Sequence, residues 1–400
     1  MLPIRTSRNL LPVRVHLHSP SDSGLGPLRR MMTIAEALSV AMPTSQVLLT
    51  TGSPRATWFQ APEGVSIVKL PTLDLDEREA RPKSPKLVAG PRAEDLRRQL
   101  LLQVHRAWAP QVLIVDQEPL GAADELEPIL RDAPSRGLRT LLGLRDAFAT
   151  GETMPAEWDE PRVRTTLLER YDRILVFGSP EIFDPRLSYR LPEELARRLE
   201  FTGYLARNVP SRPPRAGRSA RVLFSAGSGA TGGACIEALL DALEQRSPSF
   251  ETHIVLGPYL PAAQSDAIGR RAAAIDRVRV HSACSDVPEL LASCDAVVST
   301  AGYHTAIEVL QSRLPALFCP RSFPSREQLL RAERFASHGF ASCQASAAPD
   351  ELLQGVEELL QRGLSTRPLP PMDGTTKIVH AVQQLCQSPQ RLETRLGQVL

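Results

Sequence analysis

The chain has 400 residues, of which 42% are hydrophobic and 23% charged, and its 47 basic residues nearly balance 45 acidic ones for a net charge of +2. At about 150 residues per domain this suggests a soluble protein of two or three domains with a large core. The charge balance excludes a dedicated nucleic-acid binder with a strong global field.

The N-terminus, MLPIRTSRNLLPVRVHLHSP, has a basic start but no sustained apolar run, so no secretory signal is expected. Residues 1–11 read as a loose extension. Strands are predicted at 13–18, 46–51, 65–70, 111–116, 138–144 and 173–178, with helices at 28–41, 94–108, 121–133 and 161–170 between them. Continuous apolar strands separated by helices indicate a parallel sheet covered on both faces. Residues 71–93, rich in Pro and charge, read as a mobile loop.

At 205–219 the texture changes to ARNVPSRPPRAGRSA, which reads as a domain boundary. The alternation then restarts, with strands at 221–226, 252–257, 277–282, 295–300 and 315–320. The helices of this half fall at 233–245, 261–274, 286–293, 303–312, 325–337, 349–361 and 375–387. The expected fold is α/β: two Rossmann-like doubly wound domains facing each other across a cleft. The first covers 12–207, a linker 208–219, and the second 220–387, with the last helix a candidate to pack back on the first domain.

No window reaches 18 uninterrupted apolar residues, so no membrane span is expected. The six cysteines (235, 284, 294, 319, 343, 386) include no C-x-x-C pair. Buried free thiols and a reducing cytoplasm are the expectation.

Ligands of open parallel sheets sit beyond the carboxyl ends of the strands, so the loops there are the candidates. The first is SPSDSGLGPLRR (19–30), where Gly24 and Gly26 permit a tight turn and a helix start follows. Such a helix start favours an anion, although an ordinary strand-to-helix turn explains the same residues. The second, SAGSGATGG (225–233), contains Gly227, Ser228, Gly229 and Gly232. A dinucleotide site needs an acidic residue at the end of the next strand, but THIVLGP ends in Gly257 and Pro258. A backbone cradle for a pyrophosphate is the better expectation.

The third is STAGYHTAIEVLQSRLPALFCPRSFPSREQLLRA (299–332). Ser299 to Gly302 form a small-residue loop, Thr305 and Glu308 follow on the next helix, and Arg321, Glu327 and Gln328 open another. A carboxylate at Glu308 can accept two hydrogen bonds from a ribose. By itself it also fits a carboxylate interacting with the helix dipole.

This third segment resembles the donor-binding half of glycosyltransferase family 28, which includes the N-acetylglucosaminyltransferase of lipid II synthesis. The first half, through SDSGLGPLRRMMTIAEAL, VLIVDQEPLGAADELEPIL, LLGLRDAF, YDRILVFGSPEIFDP and FTGYLAR, resembles bacterial predicted glycosyltransferases of the same superfamily, which have the GT-B fold. The resemblance covers most of 12–387. It implies an inverting transferase that uses no metal and no cofactor beyond its co-substrate, a UDP-sugar, with N-acetylglucosamine the first candidate sugar. It further implies that Gly227, Ser228, Gly229, Ser299, Gly302, His304, Thr305, Glu308 and Gln328 hold the nucleotide sugar. Gly24, Gly26 and Arg30 would line the acceptor loop.

Two positions depart from the family. Pro27 stands where the first loop usually ends in His, and His304 replaces the usual Asn. Pro can neither act as a base nor donate from its backbone. His16 and His18 lie on the preceding strand without a clear place in the cleft. Asp22, then Asp146, are the candidate bases, with Asp116 a third; each also fits a loop cap. Arg29, Arg30 and Arg145 could bind phosphate or an acidic acceptor, or be solvated or salt-bridged surface groups. The acceptor itself, a small molecule, lipid or glycan, is not legible, and a lipid would add peripheral membrane contact through basic residues. Alternatives are a nucleotide-sugar-binding protein without transferase activity and a UDP-sugar 2-epimerase on the same fold.

Overall fold

The structure, a computed structural model, describes residues 12–20, 24–73, 91–149, 151, 153–210, 217–228, 233–246, 248–282, 287–321, 325–344 and 348–387. The first part of the chain runs β1 (Arg14–Ser19), α1 (Gly26–Ala41), β2 (Gln46–Thr51), β3 (Val65–Lys69), α2 (Pro91–Trp108), β4 (Val112–Asp116), α3 (Glu127–Asp132) and β5 (Arg139–Arg145). It continues through α4 (Pro161–Thr165), β6 (Arg173–Phe177), α5 (Pro185–Ser188), α6 (Glu193–Ala196) and β7 (Leu199–Phe201). The second part runs β8 (Arg221–Ser225), α7 (Gly233–Gln245), β9 (Glu251–Leu256), α8 (Ala262–Ala273), β10 (Val278–Ser282), α9 (Val287–Ser293) and β11 (Ala296–Ser299). It ends with α10 (Tyr303–Ser312), β12 (Ala316–Phe318), α11 (Glu327–Ser337), β13 (Ser342–Cys343), α12 (Pro349–Leu360) and α13 (Gly374–Gln387).

The strands form two parallel sheets, ordered β3-β2-β1-β4-β5-β6-β7 and β10-β9-β8-β11-β12-β13. Each sheet grows outward from its first strand, then reverses, between β1 and β4 in one and β8 and β11 in the other. These reversal points are where open α/β sheets bind ligands. Along β1 the side chains alternate. Val15 and Leu17 join the apolar layer of α1 and α13, whereas His16 meets His105 of α2 on the other face.

The last helix returns to the first sheet. Ile378, Val379 and Val382 of α13 join Leu28, Met31 and Ile34 of α1 in one cluster. The return is fixed where Tyr204 N donates to Pro371 O (2.8 Å) and Gly374 N donates to Tyr204 O (3.1 Å). A Cβ at Gly374 would lie 2.6 Å from Gly203 O, so only glycine fits this crossing. Apolar packing is continuous between the two parts: Phe177 and Tyr204 share a cluster with Tyr303, Phe318 and Phe335. Tyr303 OH donates to Phe177 O (2.9 Å) and accepts from Leu205 N (3.1 Å).

Three sequence expectations change. The helix expected over 121–133 is only Glu127–Asp132, because Gly121 and Asp124 have φ of 84° and 57° and Pro128 sits in the first turn. The short β7, β13, α5 and α6 were not anticipated. Of the described cysteines, all free, Cys294 and Cys319 are buried, but Cys386 is exposed. Residues 1–11 and most of the expected mobile loop (74–90) lie outside the described residues. Among the described residues no helix is long and apolar enough to cross a membrane.

Candidate functional site

The carboxyl edges of the two sheets face each other. The turn after β1 has Gly24 at φ +69°, and a Cβ there would lie 3.8 Å from Ser228 Oγ, in the turn after β8. Tyr259 OH, after β9, donates to Gly24 O (3.4 Å) and lies 3.3 Å from Ser53 Oγ, after β2. Arg55 Nη2 donates to Pro258 O at 2.8 Å. Gly26 opens α1, and Pro27 occupies the first helical turn, where a missing N–H costs nothing.

On the second sheet, Gly227 has φ +67°, and a Cβ there would stand 3.5 Å from Thr300 Oγ1. The loop after β11 begins with Ser299, whose Oγ accepts from Ala301 N (3.4 Å). Ala301, fully buried, has φ +58°, a left-handed conformation unfavourable for a residue with a Cβ. Arg331 Nη1 donates to its carbonyl at 2.9 Å and helps to hold it there. Gly302 caps α10, and His304 and Thr305 occupy its first turn.

His304 is held neutral. Burial above all, then Arg30, Arg29, Arg207 and Arg331, lowers its pKa well below the usual imidazole value. Its Nε2 is buried with no hydrogen-bond partner among the described residues. Such an atom is normally satisfied, so it marks a place for a ligand or water. One turn on, buried Glu308 accepts from Arg207 Nη1 at 2.8 Å through Oε1. At the start of α11, Gln328 donates to Thr300 O (2.7 Å) and accepts from Arg321 Nε (3.2 Å) with its amide oriented to satisfy both.

Two expected residues have other work. Asp146 was a candidate base, but both its oxygens accept from Arg331, at 2.6–3.1 Å, and Oδ1 also accepts from Ala147 N. Both oxygens are thus engaged by a buried guanidinium. Arg30 was expected in the acceptor loop or on the surface. It is instead buried and donates from Nε and Nη2 to the two oxygens of Asp116, each at 2.8 Å. Burial opposes the charge, but Asp116 outweighs it and Arg30 is raised above its ordinary pKa. Asp116 is thereby committed as well. Arg145 reaches across to pair with Glu327 of α11. Asp22, Gly229 and Gly232 lie outside the described residues.

His16 and His18 are fully buried. His16 Nε2 and His18 Nδ1 meet Thr50 Oγ1 at 2.9 and 2.7 Å, and His18 lies 3.4 Å from Glu125. Sequence reasoning missed Tyr259, Tyr303, Arg331 and Arg207. Arg207 closes the FTGYLAR segment at the start of the expected boundary stretch, a signal that was available.

Residues 231–385 match the glycosyltransferase family 28 C-terminal domain. No curated protein matches the chain. Among solved structures, the chain is similar to the calicheamicin glycosyltransferase CalG4, with a TM-score of 0.61 and 13% identity over 96% of this chain and 100% of that one. It is similar to MurG of Acinetobacter baumannii, with a TM-score of 0.55 and 15% identity over 93% and 100%. It is also similar to the glycosyltransferase VinC in complex with dTDP, with a TM-score of 0.54 and 18% identity over 94% and 99%. At such identities the likeness is one of fold.

Proposed function

We propose that this glycosyltransferase, built on the GT-B fold with a family 28 C-terminal domain, moves a sugar from a UDP-sugar to an acceptor hydroxyl, with inversion and without a metal ion. N-acetylglucosamine is the first candidate sugar. The observation that carries the reading is the unpaired, buried Nε2 of His304 on the first turn of α10, in the field of Arg29, Arg30, Arg207 and Arg331.

The first-turn N–H groups of α10 have no intrahelical partners, and the arginine field favours negative charge beside them. A diphosphate held there keeps its developing charge stabilised as the sugar leaves. In the tautomer protonated at Nε2, His304 donates to a phosphate oxygen. Glu308 then suits the ribose hydroxyls, with Arg207 fixing its carboxylate. Gln328, fixed by Thr300 and Arg321, suits the sugar. The acceptor oxygen bonds to the anomeric carbon from the face opposite the diphosphate, which gives inversion. The free thiols suit a reducing cytoplasm.

Calorimetric titration with UDP, UDP-N-acetylglucosamine, dTDP and NADH, in the presence of EDTA, tests the donor. Binding of the uridine ligands and not NADH is expected. VinC holds dTDP, so dTDP binding without UDP binding would move the donor to the thymidine class. Binding of neither would overturn the reading.

A further inference from the structure

We propose that Glu118 is the general base that takes the acceptor's proton. The role rests on the transferase reading. In the first sheet the strand order reverses between β1 and β4, and the ligand crevice of such a sheet opens beyond these two strands. The Gly24 turn leaves β1 at this point, and Glu118 leaves β4, which ends at Asp116.

Among the described residues, three other carboxylates around this edge are committed. Asp116 is held by Arg30, and Asp146 by Arg331. Glu125 accepts from Arg97 Nε at 2.9 Å and from Ala123 N at 2.7 Å. Glu118 has no side-chain hydrogen bond or ion pair among the described residues, and it is half-buried, so a substrate can reach it.

Its backbone is clamped on both sides. Gln117 has φ +70°, a conformation unfavourable for a residue with a side chain. Its N donates to Gly143 O (2.8 Å), its Nε2 donates to Phe148 O (3.3 Å), and its Oε1 accepts from Arg145 N (3.1 Å). Beyond Glu118, Pro119 O accepts from Tyr171 OH at 2.6 Å. A strained turn held this firmly, carrying an uncommitted carboxylate, is the arrangement a reacting group needs.

The charges around Glu118 suit the task. They are Asp116 on β4, Arg145 on β5, Glu125 before α3, and Glu157 in the turn Ala156–Asp159. Burial first, then Glu157, Asp116 and Glu125 against the opposing Arg145, lifts its pKa to about 7. A base with that value is ionised in part at neutral pH and still has the affinity to take a proton. In the step, the acceptor oxygen bonds to the anomeric carbon while its proton passes to a Glu118 oxygen. The bond from the anomeric carbon to the phosphate oxygen breaks, and its electron pair leaves with UDP.

The test uses the full chain, carboxyl-labelled with ¹³C at glutamate, and UDP-N-acetylglucosamine with water as the acceptor. One resonance is expected to titrate near pH 7 and to be missing from Glu118→Gln. Wild-type UDP release should rise with pH through that value. Glu118→Gln should lower release by about 100-fold or more and abolish the pH step, while UDP affinity stays unchanged. Glu118→Asp should keep part of the rate, and it serves for the assignment if the Gln variant does not fold. Intact UDP binding with this carboxyl titrating below about pH 5, or with release in Glu118→Gln within about threefold of wild type, overturns the base alone. Failure of the wild type to bind UDP overturns the donor reading instead.

Discussion

Asp146 and Arg331, 185 residues apart in the sequence, form a fully buried pair in which both carboxylate oxygens face one guanidinium. Asp146 follows the last residue of β5 and Arg331 belongs to α11, so the pair ties the carboxyl edge of the first sheet to the second part of the chain. The same guanidinium holds the left-handed Ala301. The tie therefore reaches the backbone of the loop after β11.

Breaking this pair should be costly. Asp146→Asn leaves Arg331 charged and buried without its counter-ion, at about 3–5 kcal/mol. The double variant Asp146→Leu with Arg331→Met should recover most of that loss, since no charge is then stranded. The urea midpoints of the four proteins measure both effects. A loss below about 1 kcal/mol for Asp146→Asn would mean that water reaches the pair.

Gly374→Ala should release α13. The new Cβ would meet backbone oxygens of Gly203 and Tyr204 at 2.6 and 2.7 Å, and backbone cannot swing aside as a long side chain can. Overpacking of this kind costs about 1–3 kcal/mol. Gly363→Ala is the control, because a Cβ there meets nothing within 4 Å. Thermal melts of both should show a clear drop for position 374 alone.

Eleven strands were legible because each carries several apolar residues in a run or in alternation, bounded by turn residues. Leu199–Phe201 and Ser342–Cys343 were not, since LEF and SC, unlike the three apolar residues of Ala316–Phe318, lie in no apolar run. Glu308 and Gln328 could be marked as candidates because they follow strands at the spacing of a helix start, and His304 through the resemblance to family 28. The partners of Asp146 and Arg30 could not be read, because an ion pair across 185 or 86 residues leaves no local pattern. Glu118 carried one faint signal, a carboxylate just past a fully buried strand. Only the commitment of its neighbours distinguishes it.

Glu125 and Glu118 should shape stability with opposite signs. Burial raises Glu125, but hydrogen bonding and charge from His18, then Arg97 and Ala123 N, outweigh it and bring its pKa to about 2, from 4.5. A lowered carboxylate stabilises the fold above its unfolded pKa and loses that contribution as pH falls from about 4.5 to about 2, on the order of 3 kcal/mol. Glu118, raised to about 7, instead removes stability as pH rises from 4.5 through 7. Unfolding free energies against pH should therefore lose their acid limb in Glu125→Gln. Glu118→Gln should be more stable than wild type at pH 8 and equal to it at pH 4. An unchanged difference across this range would show that Glu118 titrates normally.

Glu308→Ala should weaken UDP binding by about one to two powers of ten, the effect of a lost charge-assisted hydrogen bond of about 1–3 kcal/mol. The variant also strips Arg207 of its partner. Arg207→Ala is therefore the companion: it leaves the carboxylate in place, and UDP should bind it more tightly than it binds Glu308→Ala. Unchanged UDP affinity in a folded Glu308→Ala protein would remove the ribose role.

Pro27→His tests whether the site lacks its base or has moved it. Pro27 belongs to the first turn of α1, where its fixed φ suits the helix start. If Glu118 takes the proton, a histidine at position 27 should leave UDP release from UDP-N-acetylglucosamine within about threefold of wild type, since base catalysis of about 100-fold is already supplied. In the Glu118→Gln background the same substitution should restore little, because position 27 lies beyond β1 and the acceptor would have been placed for a base beyond β4. A large gain from Pro27→His in the wild-type background would mean that the proton is normally taken on the β1 side, and that Glu118 does not take it.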